Sequence, residues 1–265
     1  MMKSSMKKIL PFVVLALGLG VASFVIWKIV GGKSQPPPIV EDVGEEEVVV
    51  ELPMEQRPFL SLVPRVDGHE IKLKLERIPA GTPTAEYELE YKVADGRTMG
   101  VPGSVSLSGA TTLERDLLLG SCSSGKCRFD EGVESGKVTI RLRDGKGKLI
   151  GRVMTEFKLL QGVSEVGLGE FLFSGKLDKK AFYMVYGALG LPADLPAGVS
   201  LVVGPDAVSS SVAGKESGKV SFGGDAVGEI YGWSGGGWKK LTGGQAKGLG
   251  VFILGSSGAS VPVAE

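Results

Sequence analysis

The chain has 265 residues, of which 30 are basic and 30 acidic, so its formal charge is zero. No part of it after residue 58 carries the positive excess that a phosphate backbone demands, which excludes a nucleic-acid binder. Asparagine is absent, so N-glycosylation is excluded, and the 41 glycines lack the triplet period of collagen. They read instead as tight turns and close backbone approaches in β-structure.

Residues 1–8 form a basic head with Lys3, Lys7 and Lys8. The run from Ile9 to Trp27 then holds nineteen residues without a charge. As a helix it would be about 28 Å long, close to the ~30 Å hydrocarbon core of a bilayer. The expected segment is a single-pass signal anchor over 9–30, with the lysines inside and the remainder extracytoplasmic. A cleaved signal peptide is the alternative, with Val21-Ala22-Ser23 as its processing site. The anchor is preferred because the apolar run continues through Phe24–Trp27, and Trp27-Lys28 suits an outer membrane interface. Either reading exports the rest of the chain.

Residues 31–58 combine Pro36-Pro37-Pro38 with Glu41, Asp42, Glu45, Glu46, Glu47, Glu51 and Glu55. Polyproline geometry and like-charge repulsion both extend such a stretch, so it is expected to be a stalk. Val48–Val50 would pair as an edge strand at its end.

From 59 to 160 the hydrophobic period is two. Ile71, Leu73 and Leu75 alternate with lysines and glutamate; Tyr87, Leu89, Tyr91 and Val93 alternate with Glu86, Glu88, Glu90 and Lys92; Val138, Ile140 and Leu142 alternate with basic residues and Thr139. This pattern belongs to antiparallel sheets with one wet face. Asp67-Gly68, Asp95-Gly96 and Asp144-Gly145 mark turns, the last joining a hairpin. The expected fold class is mainly β, with an antiparallel β-sandwich over 59–160. The run Glu86-Tyr-Glu-Leu-Glu-Tyr-Lys92 resembles the third strand of fibronectin type III and other immunoglobulin-like modules, which implies that architecture and no activity. Glu86, Glu88 and Glu90 are read as a wet face.

Cys122 and Cys127 are the only cysteines, and in an exported domain they are expected to form a disulfide across a small loop. One histidine cannot complete a zinc site with them. The neighbouring Asp130, Glu131 and Glu134 read as a solvated acidic turn, since the spaced loop of a calcium-binding hand is missing.

Residues 161–265 are expected to form a second, glycine-rich β domain with at most one short helix. Asp178 would cap that helix, with Phe182, Val185, Tyr186 and Leu189 on one face and Gly190 and Pro192 at its end; the aromatic and β-branched residues also suit a strand. Strands are expected at Val199–Val203, Val220–Phe222, Glu229–Trp233, Trp238–Leu241 and Leu249–Leu254, with Ser234-Gly-Gly-Gly237 as a hairpin turn. The succession of Leu195-Pro-Ala-Gly-Val-Ser-Leu-Val-Val203, Tyr231-Gly-Trp-Ser-Gly-Gly-Gly-Trp-Lys-Lys-Leu241 and Gly250-Val-Phe-Ile-Leu-Gly255 resembles the closing module of bacterial cell-surface β-sandwich proteins, which implies location and architecture.

Tyr231, Trp233 and Trp238 are candidate ligand-binding residues, because aromatic faces stack on sugar rings; as core plugs they would serve the fold alone. His69 is the sole histidine, so any Ser-His-Asp or Cys-His catalyst must use it; it lies beside an Asp-Gly turn with no partner marked, and a core, turn or solvent role is expected. Nucleophile-elbow and phosphate-loop motifs are missing. No cofactor, metal or catalysis is expected. The expected function is a structural or interaction role at the cell envelope, with the bilayer held through residues 9–30 and an envelope protein or glycan as partner. The alternatives are a glycan-binding module using Trp233 and Trp238, and a carboxylate-based envelope hydrolase.

Overall fold

The computed structural model describes residues 51–257 apart from Lys215. The expected basic head 1–8, anchor 9–30, nearly all of the stalk and the Val48–Val50 strand lie outside the described residues. Among the described residues no helix is long and apolar enough to cross a membrane. Helical structure there amounts to two 3-10 turns, Met54–Gln56 and Thr242–Gly244.

The first half supplies strands β1 (Phe59–Pro64), β2 (Glu70–Glu76), β3 (Thr84–Lys92), β4 (Thr98–Ser106), β5 (Leu113–Leu118), β6 (Gly120–Ser123), β7 (Lys126–Phe129), β8 (Ser135–Arg143) and β9 (Leu149–Gln161). The second half supplies β10 (Glu165–Leu168), β11 (Phe171–Lys176), β12 (Phe182–Gly187), β13 (Val199–Ser210), β14 (Ser217–Phe222), β15 (Glu229–Trp233), β16 (Trp238–Lys240), β17 (Gln245–Ala246) and β18 (Gly250–Ser257). The pairings between these strands are antiparallel, as the alternating pattern demands.

One nine-stranded sheet, in the order β16-β15-β18-β13-β12-β9-β8-β3-β4, forms the spine. A three-stranded sheet (β1-β2-β5) shares one core with it, and a four-stranded sheet (β10-β11-β14-β17) shares another. The sequence of β12 explains how one sheet serves both. Met184 and Tyr186 belong to the first core, while Tyr183 and Val185 belong to the second. Successive side chains leave a strand on opposite faces, so the two cores lie on opposite sides of the same strands. Ala207 and Val208 on β13, and Val251 and Phe252 on β18, divide in the same way.

This two-sided burial accounts for the one expected element that is absent among the described residues. The stretch after Asp178 is a strand, Phe182–Gly187, and not a helix. A strand buried on both faces is apolar at consecutive positions, and such a run mimics part of a helical stripe. Asp178 makes a turn instead. Its Oδ1 accepts the Lys180 N–H at 2.9 Å, and its own N–H donates to the Tyr183 hydroxyl at 2.8 Å. That hydroxyl in turn donates to Glu216 Oε1 at 3.3 Å, giving a buried carboxylate its partner.

The expected division near residue 160 falls at the end of β9, from which the sheet continues directly into β12 through Phe157↔Tyr186 and Leu159↔Met184. Residues from both segments build the first core.

The Asp-Gly turns share one mechanism. Asp67 Oδ1 accepts the His69 N–H at 3.0 Å, Asp95 Oδ1 that of Arg97 at 3.1 Å, and Asp144 Oδ1 those of Lys146 and Lys148 at 2.8 and 3.0 Å. Each aspartate thus bonds its own backbone two residues on. The β3 tyrosine Tyr87 lies flat over Gly103 on β4, where an added Cβ would come within 2.2 Å of the ring. A larger residue at 103 would displace it.

The outer face of β3 and β8 is a ladder of opposite charges. Arg143 Nε meets Glu86 at 2.6 Å, Arg141 meets Glu88 at 3.0 Å and Lys137 meets Glu90 at 2.9 Å. Partly exposed pairs of this kind add about 1 kcal/mol or less each. Their consequence for chemistry is larger: each of the three glutamates is held by a cation.

Candidate functional site

The β15–β16 hairpin forms one edge of the spine, and Ser234–Gly237 is its turn. Register sets Trp233 opposite Trp238, Gly232 opposite Lys239 and Tyr231 opposite Lys240. The two indoles are 5.6 Å apart and inclined at 60°, a favourable tilted aromatic pair. Both are partly buried against the first core, and Trp238 Nε1 donates to the Ala193 carbonyl at 3.4 Å. Tyr231 is differently placed. It is buried, and its ring covers Gly255, which leaves it no open face for a ligand. Of the three aromatic candidates, the structure brings the two tryptophans together at the surface and takes Tyr231 into the interior.

Glu229 organises this edge. Its carboxylate accepts from Lys240 Nζ, from the Tyr231 hydroxyl at 3.0 Å and from Ser257 Oγ at 3.1 Å. The Lys240 hydrogen bond, followed by those of Tyr231 and Ser257, holds the Glu229 carboxyl below the usual range and raises the Lys240 ammonium.

Beside the hairpin is a hollow of about 420 Å³, a size typical of small-ligand sites. Trp233 contributes to its wall; Leu241, Leu249 and Phe252 supply apolar surface; Lys239, Gln245 and Lys247 supply polar groups. The missing side chain at Gly232 helps to shape it, since a Cβ there would press on Phe252 and Leu241 at 3.2 and 3.3 Å. No acidic residue lines the hollow. The sequence signal was present but unread: from Ile230 to Ala264 the chain has Lys239, Lys240 and Lys247 and no acid.

A second hollow of about 510 Å³ lies at the end of β3, β8 and β9, where Glu90, Lys137, Glu156 and Lys158 mix both signs of charge.

The other candidates are structurally placed. Cys122 and Cys127 form a disulfide across directly opposed positions of the β6–β7 hairpin. Residues 121–129 of that hairpin are all exposed. Loop-closure entropy for so short a ring is about 2 kcal/mol. Because the hairpin contributes no side chain to either core, the Cys122→Ser/Cys127→Ser variant is expected to lose less than about 1 kcal/mol of global stability, while amide exchange between 120 and 129 accelerates. Chemical denaturation with residue-resolved exchange checks this, and a larger global loss would show that the hairpin braces the fold.

His69 stacks on Phe129 at the root of this hairpin, with ring centroids 4.2 Å apart and planes 12° from parallel. It is half-buried rather than free in its turn. Asp130 Oδ2 accepts the Tyr91 hydroxyl at 2.8 Å; burial first, and this contact second, push the Tyr91 phenol upward. Among the described residues no group of three or more His, Cys, Asp or Glu side chains is arranged to hold a metal.

One carboxyl is markedly perturbed. Asp206 on β13 is pushed up to about 6 by burial alone, with no neighbouring charge contributing. No protein-family model matches the chain, and no match to it is found among curated proteins or solved structures.

Proposed function

We propose that the chain is a membrane-tethered, extracytoplasmic binding module of the cell envelope without catalytic activity. Residues 9–30 anchor it in the bilayer with the N-terminus cytoplasmic, 31–58 hold it off the surface, and the β unit presents the β15–β16 edge to an envelope component. The supporting observations are the Trp233–Trp238 pair on one side of the hairpin and, on the other, the hollow with apolar surface beside Lys239, Gln245 and Lys247. The immunoglobulin or fibronectin III-like assignment of 59–160 belongs to the same proposal. Its support is the grouping of β1-β2-β5 apart from β4-β3-β8-β9, which parallels the A-B-E and C-F-G strand groups of that architecture.

A glycan is the favoured partner over a protein. The paired, partly exposed indoles of Trp233 and Trp238 suit the flat C–H face of a sugar ring, and the hollow on the other side of the hairpin is small for a protein interface. The hydrolase alternative draws little support, since Glu86, Glu88 and Glu90 are all ion-paired.

Two measurements test the proposal. The full-length chain is expected to remain in the membrane fraction after a high-salt wash; a soluble form beginning at Phe24 would overturn the anchor. It is also expected to cosediment with insoluble envelope polysaccharide, with Trp233→Ala/Trp238→Ala reducing binding at least tenfold. If that variant binds normally while remaining folded, the hairpin is not the site.

A further inference from the structure

Resting on the binding reading above, we infer that the hollow beside the β15–β16 hairpin selects an anionic sugar, a pyranose bearing a carboxylate or a phosphate. Three observations lead there. First, the hollow's charged residues are Lys239, Lys240 and Lys247, with no acid among its lining. Second, these lysines are not equivalent. Lys240 is neutralised by Glu229, whereas Lys239 and Lys247 form no ion pair among the described residues. Many cations elsewhere are matched: Lys72 by Glu114, Lys137 by Glu90 and Arg141 by Glu88. Third, strand register turns Lys239 toward the hollow. It lies opposite Gly232, on the other side of the sheet from Trp238 and Lys240.

The remaining lining sets the ligand class. Leu241 and Leu249, beside the buried Phe252, give apolar surface where the C–H face of a ring can rest. The side chains of Thr242 and Gln245 have no hydrogen-bond partner among the described residues and are free to meet hydroxyls. Two ammonium groups beside a hydroxyl-compatible, partly apolar surface match a sugar acid better than a neutral sugar, which would leave both charges uncompensated. An acidic peptide could satisfy the lysines but would not use the flat apolar surface.

Calorimetric titration of the full-length chain with tri-galacturonate, the neutral galactose trimer, glucose 6-phosphate, free glucose and penta-glutamate tests this. Tri-galacturonate is expected to bind at least tenfold more tightly than the neutral trimer, with affinity falling as salt rises. Lys239→Gln/Lys247→Gln should abolish that preference at unchanged melting temperature, these side chains being exposed. Glucose 6-phosphate binding more tightly than free glucose would place phosphate among the accepted anions. Equal binding of charged and neutral trimers, unaffected by the lysine variant, overturns the anion inference and leaves the binding site standing. Penta-glutamate binding as tightly as tri-galacturonate overturns the sugar assignment. Failure of every probe to bind overturns both readings.

Discussion

Met184→Ala and Val185→Ala, substitutions at adjacent positions, are expected to damage opposite cores and yet to lower a single unfolding transition. Met184 is fully buried in the core shared with β1-β2-β5, and Val185 is fully buried in the core shared with β10-β11-β14-β17. Truncating a buried methionine costs about 2 to 5 kcal/mol. Truncating the valine removes two carbons, for about 2 kcal/mol once the residual cavity is included. Because both cores are built on β12, β13 and β18, neither can melt while the other keeps its sheet. Scanning calorimetry is therefore expected to give one transition for the parent and for each variant, with calorimetric and van't Hoff enthalpies in agreement. Two transitions, only one of them shifted by each substitution, would mean that the halves fold independently and that the shared strands do not couple them.

The same strands explain what could be read from the sequence and what could not. β2 and β3 each have one buried face, and β8 departs from this only at the buried Thr139, so their pattern has period two and predicted their place in antiparallel sheets. The Asp-Gly turns were legible because the aspartate bonds its own backbone, a purely local event. β12 was not legible: with Tyr183, Met184, Val185 and Tyr186 all buried, the alternation that identifies a strand disappears. Continuity of the sheet across residue 161 was hidden for a related reason. It depends on the pairing of β9 with β12, and pairing partners leave no mark in either strand alone.

The candidate site divides along similar lines. A disulfide between Cys122 and Cys127 followed from their being the only two cysteines, on the expectation that the chain is exported. The Trp233–Trp238 pair followed from a glycine turn flanked by aromatics. Tyr231 was grouped with them because it shares their face of β15. Its burial depends on Gly255 of β18, a neighbour in space alone. The hollow needs Lys239 on one side of β16 and Lys247 beyond the next turn, and only the folded chain brings these together.

Asp206 supplies the second large effect, and its sign is opposite to that of a salt-bridged carboxylate. Ala207 belongs to the first core and Val208 to the second, so Asp206 faces the same side as Val208, opposite Gly187 and Phe252 in register. Its carboxylate has no hydrogen-bond or ion-pair partner among the described residues. Burial moves it from an ordinary 3.8 to about 6 in the folded state. Between about pH 4 and pH 6 the folded chain therefore retains a proton that the unfolded chain has released. Stability falls as pH rises through that window, by about 3 kcal/mol in all, and levels off above it. Asp206→Asn removes the charge at nearly constant shape, so the variant is expected to gain up to about 3 kcal/mol over the parent at pH 7.5 and only about 0.5 kcal/mol at pH 4. Paired acids such as Glu114, whose carboxyl is lowered by Lys72, contribute a slope of the other sign at lower pH, and they cancel in the difference between the two proteins. Urea unfolding of both at pH 4, 5, 6 and 7.5 reads that difference directly. A gap that stays constant from pH 4 to 7.5 would show that Asp206 ionises as it does in water, and that its place between the sheets is wet.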